Sequence, residues 1–401
     1  MAEGKLGVWL AGGRGGVATT TVLGVAAIRR GMAPAIGVLP DEPPFAGLGL
    51  AAWDDLVFGG HEVRRLPIRK TARDLAERSR AFDVRLVEAC EADLDAADAA
   101  IRPGTLLGAS EAVTRLADWS EAAPDETVAD AVDRLAGDLT DFSQTYGLRQ
   151  VVVINVTSTE PPCDAGAAPA TWHQLEAALP ALTPGVLPPS AIYAIAAFTA
   201  GFPYVNFTPS VGSDLPALRE LALARKLCHM GRDGKTGETL MKAVLAPMFA
   251  RRRLEVMSWF GQNIFGNLDG VVLDDPANKQ TKIASKDRLL GEILGYRPQT
   301  KVGIDYIESL GDWKTAWDHI HFRGFLGTPM TLQFIWQGCD SLLAAPLVLD
   351  LARLVDVAAR RGEVGTLPFL ASFFKSPMDV TEQDFARQYW MLEQWAERIV
   401  D

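Results

Sequence analysis

The sequence predicts an α/β fold: a Rossmann-like domain that carries an inserted α+β domain. The first pattern is an apolar strand at Lys5–Ala11 that runs through a Gly-rich turn into a helical segment over residues 19–30, as in a βαβ unit. The second is an apolar run at residues 151–156, typical of a central parallel strand covered on both faces. The third is a change in residue composition at residue 231, where a polar loop rich in Gly, Lys and Thr begins.

The remaining segments are assigned around that change. Residues 36–39 are strand-like and would complete the βαβ unit, residues 51–146 read as mainly helical with a loop at 58–62, and residues 191–207 pass from helix to strand. After residue 231 we expect a helix at 238–253 and strands at 255–260, 300–307 and 331–336. A long apolar helix is expected to follow at 340–361. The predicted domains are residues 1–230 with 338–401, Rossmann-like, and the insertion 231–337.

Composition narrows the class of protein. The chain has 401 residues, 48% of them hydrophobic and 22% charged, and its net charge of −11 opposes binding to nucleic acid. Its longest apolar stretches, 191–205 and 342–359, are interrupted by Gly, Pro or charged residues, so no membrane span is predicted. Four widely spaced cysteines and the lack of a signal-peptide pattern at the beginning favour the cytoplasm.

The Gly-rich turn is a candidate dinucleotide site. A turn without side chains lets backbone N–H groups approach a pyrophosphate, and the following helix start favours negative charge. The spacing differs from GxGxxG, and a purely structural turn is the alternative. Glu62 is predicted to bind ribose hydroxyls, and the alternative is a solvated loop acid. Asp41 is the second choice, and the alternative there is a simple turn at Pro43-Pro44. The turn residues are Gly12, Gly13, Arg14, Gly15, Gly16 and Val17.

The loop at residues 231–237 is a candidate phosphate site because it opens a helix. Its N–H groups and the Thr236 hydroxyl suit a phosphate monoester, and Asp233 offers a charge or a proton acceptor. The alternative is an ordinary N-capping loop. Asn263 and Asn267 flank Gly266 in a further loop whose amides suit ligand hydroxyls, or only make turns.

Three lysines are candidate catalytic cations. Lys282 and Lys286 are four residues apart, so on a helix they share a face and lower each other's pKa, although a solvated basic face is the commoner meaning of such a pair. Lys375 lies in apolar surroundings, where its pKa is lowered unless it reaches solvent. Asp340 begins an apolar helix and reads equally as an N-cap. The five histidines form no recognised metal-ligand spacing.

These segments, in this order, resemble the inositol-phosphate synthase family over most of the chain. The resemblance is carried by the Gly-rich loop, by residues 59–62, 153–160 and 203–206, and most specifically by residues 231–242, 266–270, 282–286, 311–314 and 340–346. It implies NAD as cofactor and a homotetramer. It also implies redox-neutral conversion of a hexose 6-phosphate, glucose 6-phosphate, to an inositol phosphate, by oxidation at C5, loss of a C6 proton, aldol closure and reduction.

The resemblance also implies roles for individual residues. Lys282 would assist oxidation and reduction, Lys286 would hold the phosphate, and Lys375 would polarise the carbonyl during ring closure. The other residues that it implies in the cofactor and substrate sites are Asp233, Asp340, Thr157, Ser158, Thr236, Gly237, Thr239, Asn263, Gly266, Asn267, Asp269 and Asp305.

Asp305 is the main departure from the family pattern, which has a lysine in the strand before Gly-Asp-x-Lys. An anion beside the reacting carbonyls would disfavour an enolate. This keeps an alternative open, in which fructose 6-phosphate closes to a five-membered cyclitol phosphate. A second alternative is an NAD-binding homologue without turnover, against which the retention of Lys282, Lys286 and Lys375 argues.

Overall fold

The computed structural model describes residues 4–119, 125–164, 166–267 and 289–400, and these contain two sheets. The strands are β1 (Lys5–Ala11), β2 (Leu56–Glu62), β3 (Ile101–Pro103), β4 (Leu148–Asn155), β5 (Tyr204–Asn206), β6 (Cys228–Gly231), β7 (Glu255–Phe265), β8 (Gln299–Tyr306), β9 (Trp313–Arg323), β10 (Pro329–Cys339) and β11 (Gly365–Thr366).

The helices that lie wholly within the described residues connect and cover these strands. They are α1 (Gly16–Arg29), α2 (Ile68–Glu77), α3 (Val84–Ala89), α4 (Glu91–Ala99), α5 (Glu111–Leu116), α6 (Val128–Tyr146), α7 (Trp172–Ala178), α8 (Pro189–Thr199), α9 (Pro216–Ala224), α10 (Gly237–Arg251), α11 (Asp340–Arg360) and α12 (Phe385–Val400). Within the described ranges, none of these helices is long and apolar enough to span a membrane.

The larger sheet is parallel and has seven strands in the order β11-β6-β5-β4-β1-β2-β3. Strand β1 pairs with β2 on one side and β4 on the other, so the chain reverses its direction of winding there. In such sheets ligands bind at the carboxyl ends of the two strands that flank the reversal. The buried run Val151–Ile154 supplies the middle of β4, as an apolar strand covered on both faces requires. The predicted α/β fold class is confirmed.

The second strand of the βαβ unit was predicted in the wrong place. Residues 36–39 form turns rather than a strand, with Ile36 81% exposed, and the Asp350 carboxylate accepts a hydrogen bond from the Leu39 N–H. The strand is β2, which includes the predicted loop at 58–62. Its Gly-Gly pair looks like a turn in sequence, yet it lies between β1 and β3, where neighbouring strands supply its hydrogen bonds.

The smaller sheet has four strands in the order β10-β9-β7-β8, with β9 antiparallel to both neighbours. Helix α10 covers one face of it, where Phe249 packs edge-on against Trp259 and Phe322. The opposite face presents Trp317 and Ile335, which are 38% and 71% exposed. Strands β7, β8 and β9 lie within the predicted insertion, and β10 extends two residues beyond its end at 337. The boundaries at 231 and 337 stay a prediction.

Candidate functional site

A cavity of about 670 Å³ opens at the carboxyl ends of β1, β2 and β4 and reaches the smaller sheet. Among the residues that line it are many of the predicted site residues: Gly12, Arg14, Gly15, Gly16, Val17, Glu62, Thr157, Ser158, Asp233, Thr236, Gly266, Asn267, Asp340 and Lys375. The fold therefore brings together segments that are up to about 360 residues apart in sequence.

The Gly-rich turn forms one end of the cavity. Gly12 has a φ of +89°, and a Cβ there would lie 3.0 Å from the Val156 carbonyl oxygen, so a side chain would be strained and crowded. The N–H groups of Gly12 and Gly13 donate to the His61 carbonyl, which closes the turn onto β2. Gly15 is the N-cap of α1, and no described side chain caps this helix. The first N–H groups of α1 are thus left for an anion.

Glu62 ends β2 at the edge of the cavity and is 5% exposed. Its carboxylate accepts hydrogen bonds from the N–H groups of Arg14 at 3.0 Å and Val63 at 2.9 Å. The guanidinium of Arg14 is paired with Asp98 at 2.8 Å and stacks over the Trp119 ring. The acid is therefore held firmly beside the turn. Asp41, the second choice, is exposed and is not among the lining residues that the structure describes.

Two lysine–carboxylate pairs form the other end. Lys375 Nζ lies 2.7 Å from Asp233 Oδ1, and the Lys375 N–H donates to the Asp233 carbonyl, also at 2.7 Å. Both side chains are buried, and Asp233 has a φ of +65°. Lys314 Nζ, on β9, lies 3.7 Å from Asp340 Oδ1 at the start of α11. The structure thus directs two cations and two anions towards one space.

Asp305 does not belong to this set, which corrects its predicted place beside the reacting groups. It is exposed on β8, where its carboxylate accepts a hydrogen bond from Gln262 Nε2 at 2.5 Å. The next residue, Tyr306, lines the cavity. Successive side chains of a strand point to opposite faces, so the cavity and Asp305 lie on different sides of β8.

The predicted phosphate residues divide into two groups. Thr236 and Asn267 line the cavity, and Gly237 begins α10 beside them. Asn263 and Thr239 lie behind this wall in a buried polar cluster, where Asn263 Nδ2 donates to Glu238 Oε2 at 2.7 Å. Lys242 pairs with the same glutamate at 2.6 Å. Lys282, Lys286 and Asp269 lie outside the described residues.

Comparison with known proteins shows the family to which the chain belongs. The sequence model of the family described as myo-inositol-1-phosphate synthase, an NAD-binding family by its label, matches residues 42–397. The chain is 32% identical to inositol-3-phosphate synthase 1 of Bacteroides thetaiotaomicron over an alignment of 429 residues. This alignment covers 100% of this chain and 96% of that protein. The chain belongs to the myo-inositol-1-phosphate synthase family. The predicted family, the enzyme class and the NAD cofactor are confirmed.

Solved structures agree with that membership. A myo-inositol-1-phosphate synthase-related protein from Thermotoga maritima is 27% identical, covers 98% of each chain and superposes with a TM-score of 0.79. An inositol-3-phosphate synthase from Caenorhabditis elegans covers 99% of this chain and 86% of its own, with a TM-score of 0.88. At 23% identity, this second likeness shows the shared fold alone.

Within this synthase fold, sequence reasoning missed Lys314 as a site residue. Lys314 belongs to residues 311–314, one of the segments that resemble the family. Because β9 was not predicted, nothing in the sequence indicated where the Lys314 side chain lies. A lysine directly after a turn rich in small and acidic residues was the available signal. The structure shows its ammonium group facing Asp340 on the cavity wall.

Two further buried groups with shifted pKa values were also missed. Burial raises the pKa of Glu160, on the cavity wall, to about 7, while its carboxylate accepts hydrogen bonds from the Ser190 N–H and hydroxyl. Burial, with the nearby Lys375 ammonium, lowers the pKa of Lys235 to about 7. Lys235 donates to Gln388 of α12, which ties the C-terminal helix to the loop that carries Asp233. Among the described residues no three His, Cys, Asp or Glu side chains form a metal-ion site.

Proposed function

We propose that this enzyme converts glucose 6-phosphate to an inositol phosphate in an NAD-dependent, redox-neutral cyclisation. One observation carries the proposal beyond family membership: a single cavity joins the turn at the start of α1 to the pairs Lys375–Asp233 and Lys314–Asp340. A dehydrogenase needs a cofactor site and one acid or base. A cavity that adds several cations to a cofactor site also suits steps in which carbon and oxygen atoms become negatively charged.

The residues around the turn fit NAD. The close approach of Gly12 to β4 and the uncapped start of α1 suit a pyrophosphate, and the anchored carboxylate of Glu62 suits ribose hydroxyls. Thr157 and Ser158 continue this wall at the end of β4. When bound, NAD supplies reversible oxidation of the substrate hydroxyl at C5, which acidifies the neighbouring C6.

The start of α10 is the proposed phosphate site. Thr236 is its N-cap and its side chain caps no N–H group of α10 within the described part of the chain, so the first N–H groups of a 15-residue helix remain for a ligand. The helix dipole there favours a dianion. Asn267 lines the cavity and is proposed to help hold the phosphate, as is Lys286 of the undescribed segment.

The lysines are proposed to stabilise the charge that develops during the reaction. Lys375 would polarise the substrate aldehyde, with Asp233 fixing its ammonium group through the 2.7 Å contact. Lys314 is proposed to stabilise oxygen anions near C5, held opposite Asp340. Lys282 is proposed to move the proton of the C5 hydroxyl.

Neither alternative is supported by a feature of the cavity. The conversion of fructose 6-phosphate to a five-membered ring rested on Asp305, which faces away from the cavity. Burying a charge costs free energy even when the charge is paired. A homologue without turnover would therefore have no need for two lysine–carboxylate pairs that converge on a cofactor site.

We also propose that the enzyme is a homotetramer of the cytoplasm. The open face of the smaller sheet, with Trp317 and Ile335, is an apolar surface of the kind that subunits cover. The described cysteines are free thiols, as expected in a reducing compartment.

Product analysis tests the proposed reaction. The purified enzyme is incubated with NAD and either glucose 6-phosphate or fructose 6-phosphate, and products are identified by NMR and mass spectrometry. The proposal predicts a six-membered cyclitol phosphate from glucose 6-phosphate and no cyclisation of fructose 6-phosphate. A five-membered ring from the ketose, or no product from either sugar, would contradict it.

A further inference from the structure

The pair Lys314–Asp340 does not fix its own geometry. The separation of 3.7 Å between Lys314 Nζ and Asp340 Oδ1 exceeds a normal hydrogen bond, and the Lys314 side chain is 14% exposed. A lysine has many rotamers, so a loose contact of this kind does not hold it in one place. Lys314 Nζ also lies 5.4 Å from the centre of the Phe265 ring. The placement of the pair therefore depends on the backbones that carry the two side chains as well as on these contacts.

Both backbones are anchored by one buried carboxylate, that of Asp312. Asp312 lies two residues before Lys314 and is 5% exposed. Its carboxylate accepts hydrogen bonds from the Ser341 N–H at 3.0 Å, the Ser341 hydroxyl at 2.9 Å and the Cys339 thiol at 2.8 Å. Its carbonyl accepts from the Asp340 N–H at 3.1 Å. The turn before β9 and the start of α11 are thus joined on either side of the pair.

The Asp312 carboxylate is also connected to the end of the cavity that the Gly-rich turn and α1 form. A Cβ on Gly16 would lie 2.4 Å from the Ser341 hydroxyl oxygen and 3.6 Å from Asp312 Oδ1, so the backbone at the start of α1 packs closely against Ser341, which donates to that carboxylate. The Thr20 hydroxyl of α1 donates to the Ser341 carbonyl at 3.1 Å. On the other side, the Asp312 N–H donates to the Ser79 hydroxyl, just after α2, at 3.0 Å.

We propose that Asp312 is a positioning residue, which sets Lys314 and Asp340 at a fixed place relative to the cofactor helix α1. It acts through Ser341, Cys339 and its own backbone, and does not itself react. The inference rests on the proposed function for its catalytic consequence. Its structural part, the placement of Lys314, can be measured without turnover.

Two substitutions of Asp312 separate positioning from chemistry. In Asp312→Ala the Ser341 and Cys339 donors lose their acceptor, and we expect kcat to fall about 100-fold, as a displacement of roughly 1 Å can cause. In Asp312→Asn the amide oxygen still accepts from Ser341 and Cys339, and its NH₂ group donates to the Ser341 hydroxyl. We therefore expect Asp312→Asn to retain kcat within about tenfold of the parent enzyme, since it keeps the anchoring contacts.

The placement of Lys314 is measured by lysine acetylation and peptide mass spectrometry, with rates normalised to Lys226, which is exposed before the amino end of β6 and is not among the described residues that line the cavity. We expect Lys314 to react severalfold faster in Asp312→Ala than in the parent enzyme, and at nearly the parent rate in Asp312→Asn. Glu255→Gln is the control, because Glu255 is an exposed acid at the start of β7 that lies away from the cavity, and we expect it to leave both kcat and Lys314 reactivity unchanged.

Activity is expressed per NAD-binding site, so that a loss of folded protein is not counted as a loss of catalysis. An unchanged Lys314 reactivity in Asp312→Ala overturns the inference, as does full activity per site. Equal kcat losses in the Ala and Asn variants also overturn it, since the carboxylate itself would then be required. Failure of the proposed function appears separately, as a parent enzyme that forms no cyclitol phosphate while the Lys314 reactivities still differ.

Discussion

The two ends of the cavity are built in different ways. At the cofactor end, one contiguous stretch, β1, the Gly-rich turn and α1, supplies the backbone groups, and Glu62 completes it from the adjacent strand. At the substrate end, Lys375 meets Asp233 across 142 positions of sequence, and Lys314 meets Asp340 across two strands of the smaller sheet. The first end is a local motif, whereas the second exists only when distant segments pack together.

This difference predicts that substitutions at the two ends affect different steps. The cofactor end is made largely of backbone groups, so changes there should alter NAD affinity. The substrate end is made of charged side chains, so changes there should alter the rate of the chemical steps. The substitutions that follow test this division in order of decreasing effect.

The largest effect is expected from Lys375→Ala. The substitution breaks the buried contact with Asp233 and removes the ammonium group proposed to polarise the aldehyde. We expect kcat to fall about 10³-fold, the upper range for one electrostatic contact in a transition state. Steady-state kinetics measure this, and calorimetric titration should show unchanged NAD affinity. A loss of NAD binding would place Lys375 at the cofactor instead.

A smaller loss is expected from Lys314→Met, which removes the charge and keeps an unbranched side chain only one heavy atom shorter. We expect kcat to fall about 100-fold, because a cation facing Asp340 on the cavity wall is removed. Asp305→Asn is the control in the same sheet, on β8, which β7 separates from β9. Since Asp305 is exposed on the opposite face, we expect its kcat to change by less than about twofold. Kinetics that show the reverse ranking would refute the assignment of the two faces.

At the cofactor end, Glu62→Gln should weaken NAD binding about tenfold, because a neutral amide accepts hydrogen bonds from ribose hydroxyls less strongly than a carboxylate does. At saturating NAD we expect kcat to stay close to the parent value. The exposed Asp41 provides the control, and Asp41→Asn should leave the dissociation constant unchanged. Equal effects of the two variants would argue against Glu62 as the ribose ligand.

The last prediction concerns stability, not activity, and its dependence on pH at Glu160. Burial raises its pKa in the folded state from the ordinary 4.5 to about 7, so between these values the folded state binds more protons than the unfolded state. The free energy of unfolding should therefore contain a contribution that falls as the pH rises through this interval and is lost above pH 7. Urea denaturation of Glu160→Gln, which mimics the protonated acid, should lack this contribution. The same pH dependence in both proteins would exclude Glu160 as its source.

The cofactor end was largely predictable because its signals are local. The strand Lys5–Ala11 and the Gly-rich turn stand together in the sequence. At the substrate end only Lys375 was comparably visible, as a charge in an apolar segment. The true second strand, β2, was hidden because its Gly-Gly pair resembles a turn. Close strand packing, which the sequence does not display, keeps that segment extended.

The substrate end was harder to predict, because it depends on which face of a strand a side chain occupies and on which strands pair. Asp305 was placed beside the substrate, yet the alternation of Ile304 and Tyr306 with Asp305 along β8 already indicates opposite faces. Lys314 was missed because β9 was not recognised, and the partner of a strand is a long-range property. Strand parity can therefore be read from the sequence with care, whereas the meeting of Lys314 with Asp340 cannot.

The most direct test of the redox-neutral cyclisation uses glucose 6-phosphate that carries deuterium at C5. The enzyme is supplied with substrate in large excess over NAD, and the product is analysed by NMR. If oxidation and reduction occur within one turnover in the same cavity, the ring product retains the deuterium at that carbon, and no reduced cofactor accumulates. Deuterium lost from the product, or reduced cofactor formed in step with the sugar consumed, would show a net dehydrogenase and contradict the proposed cyclase.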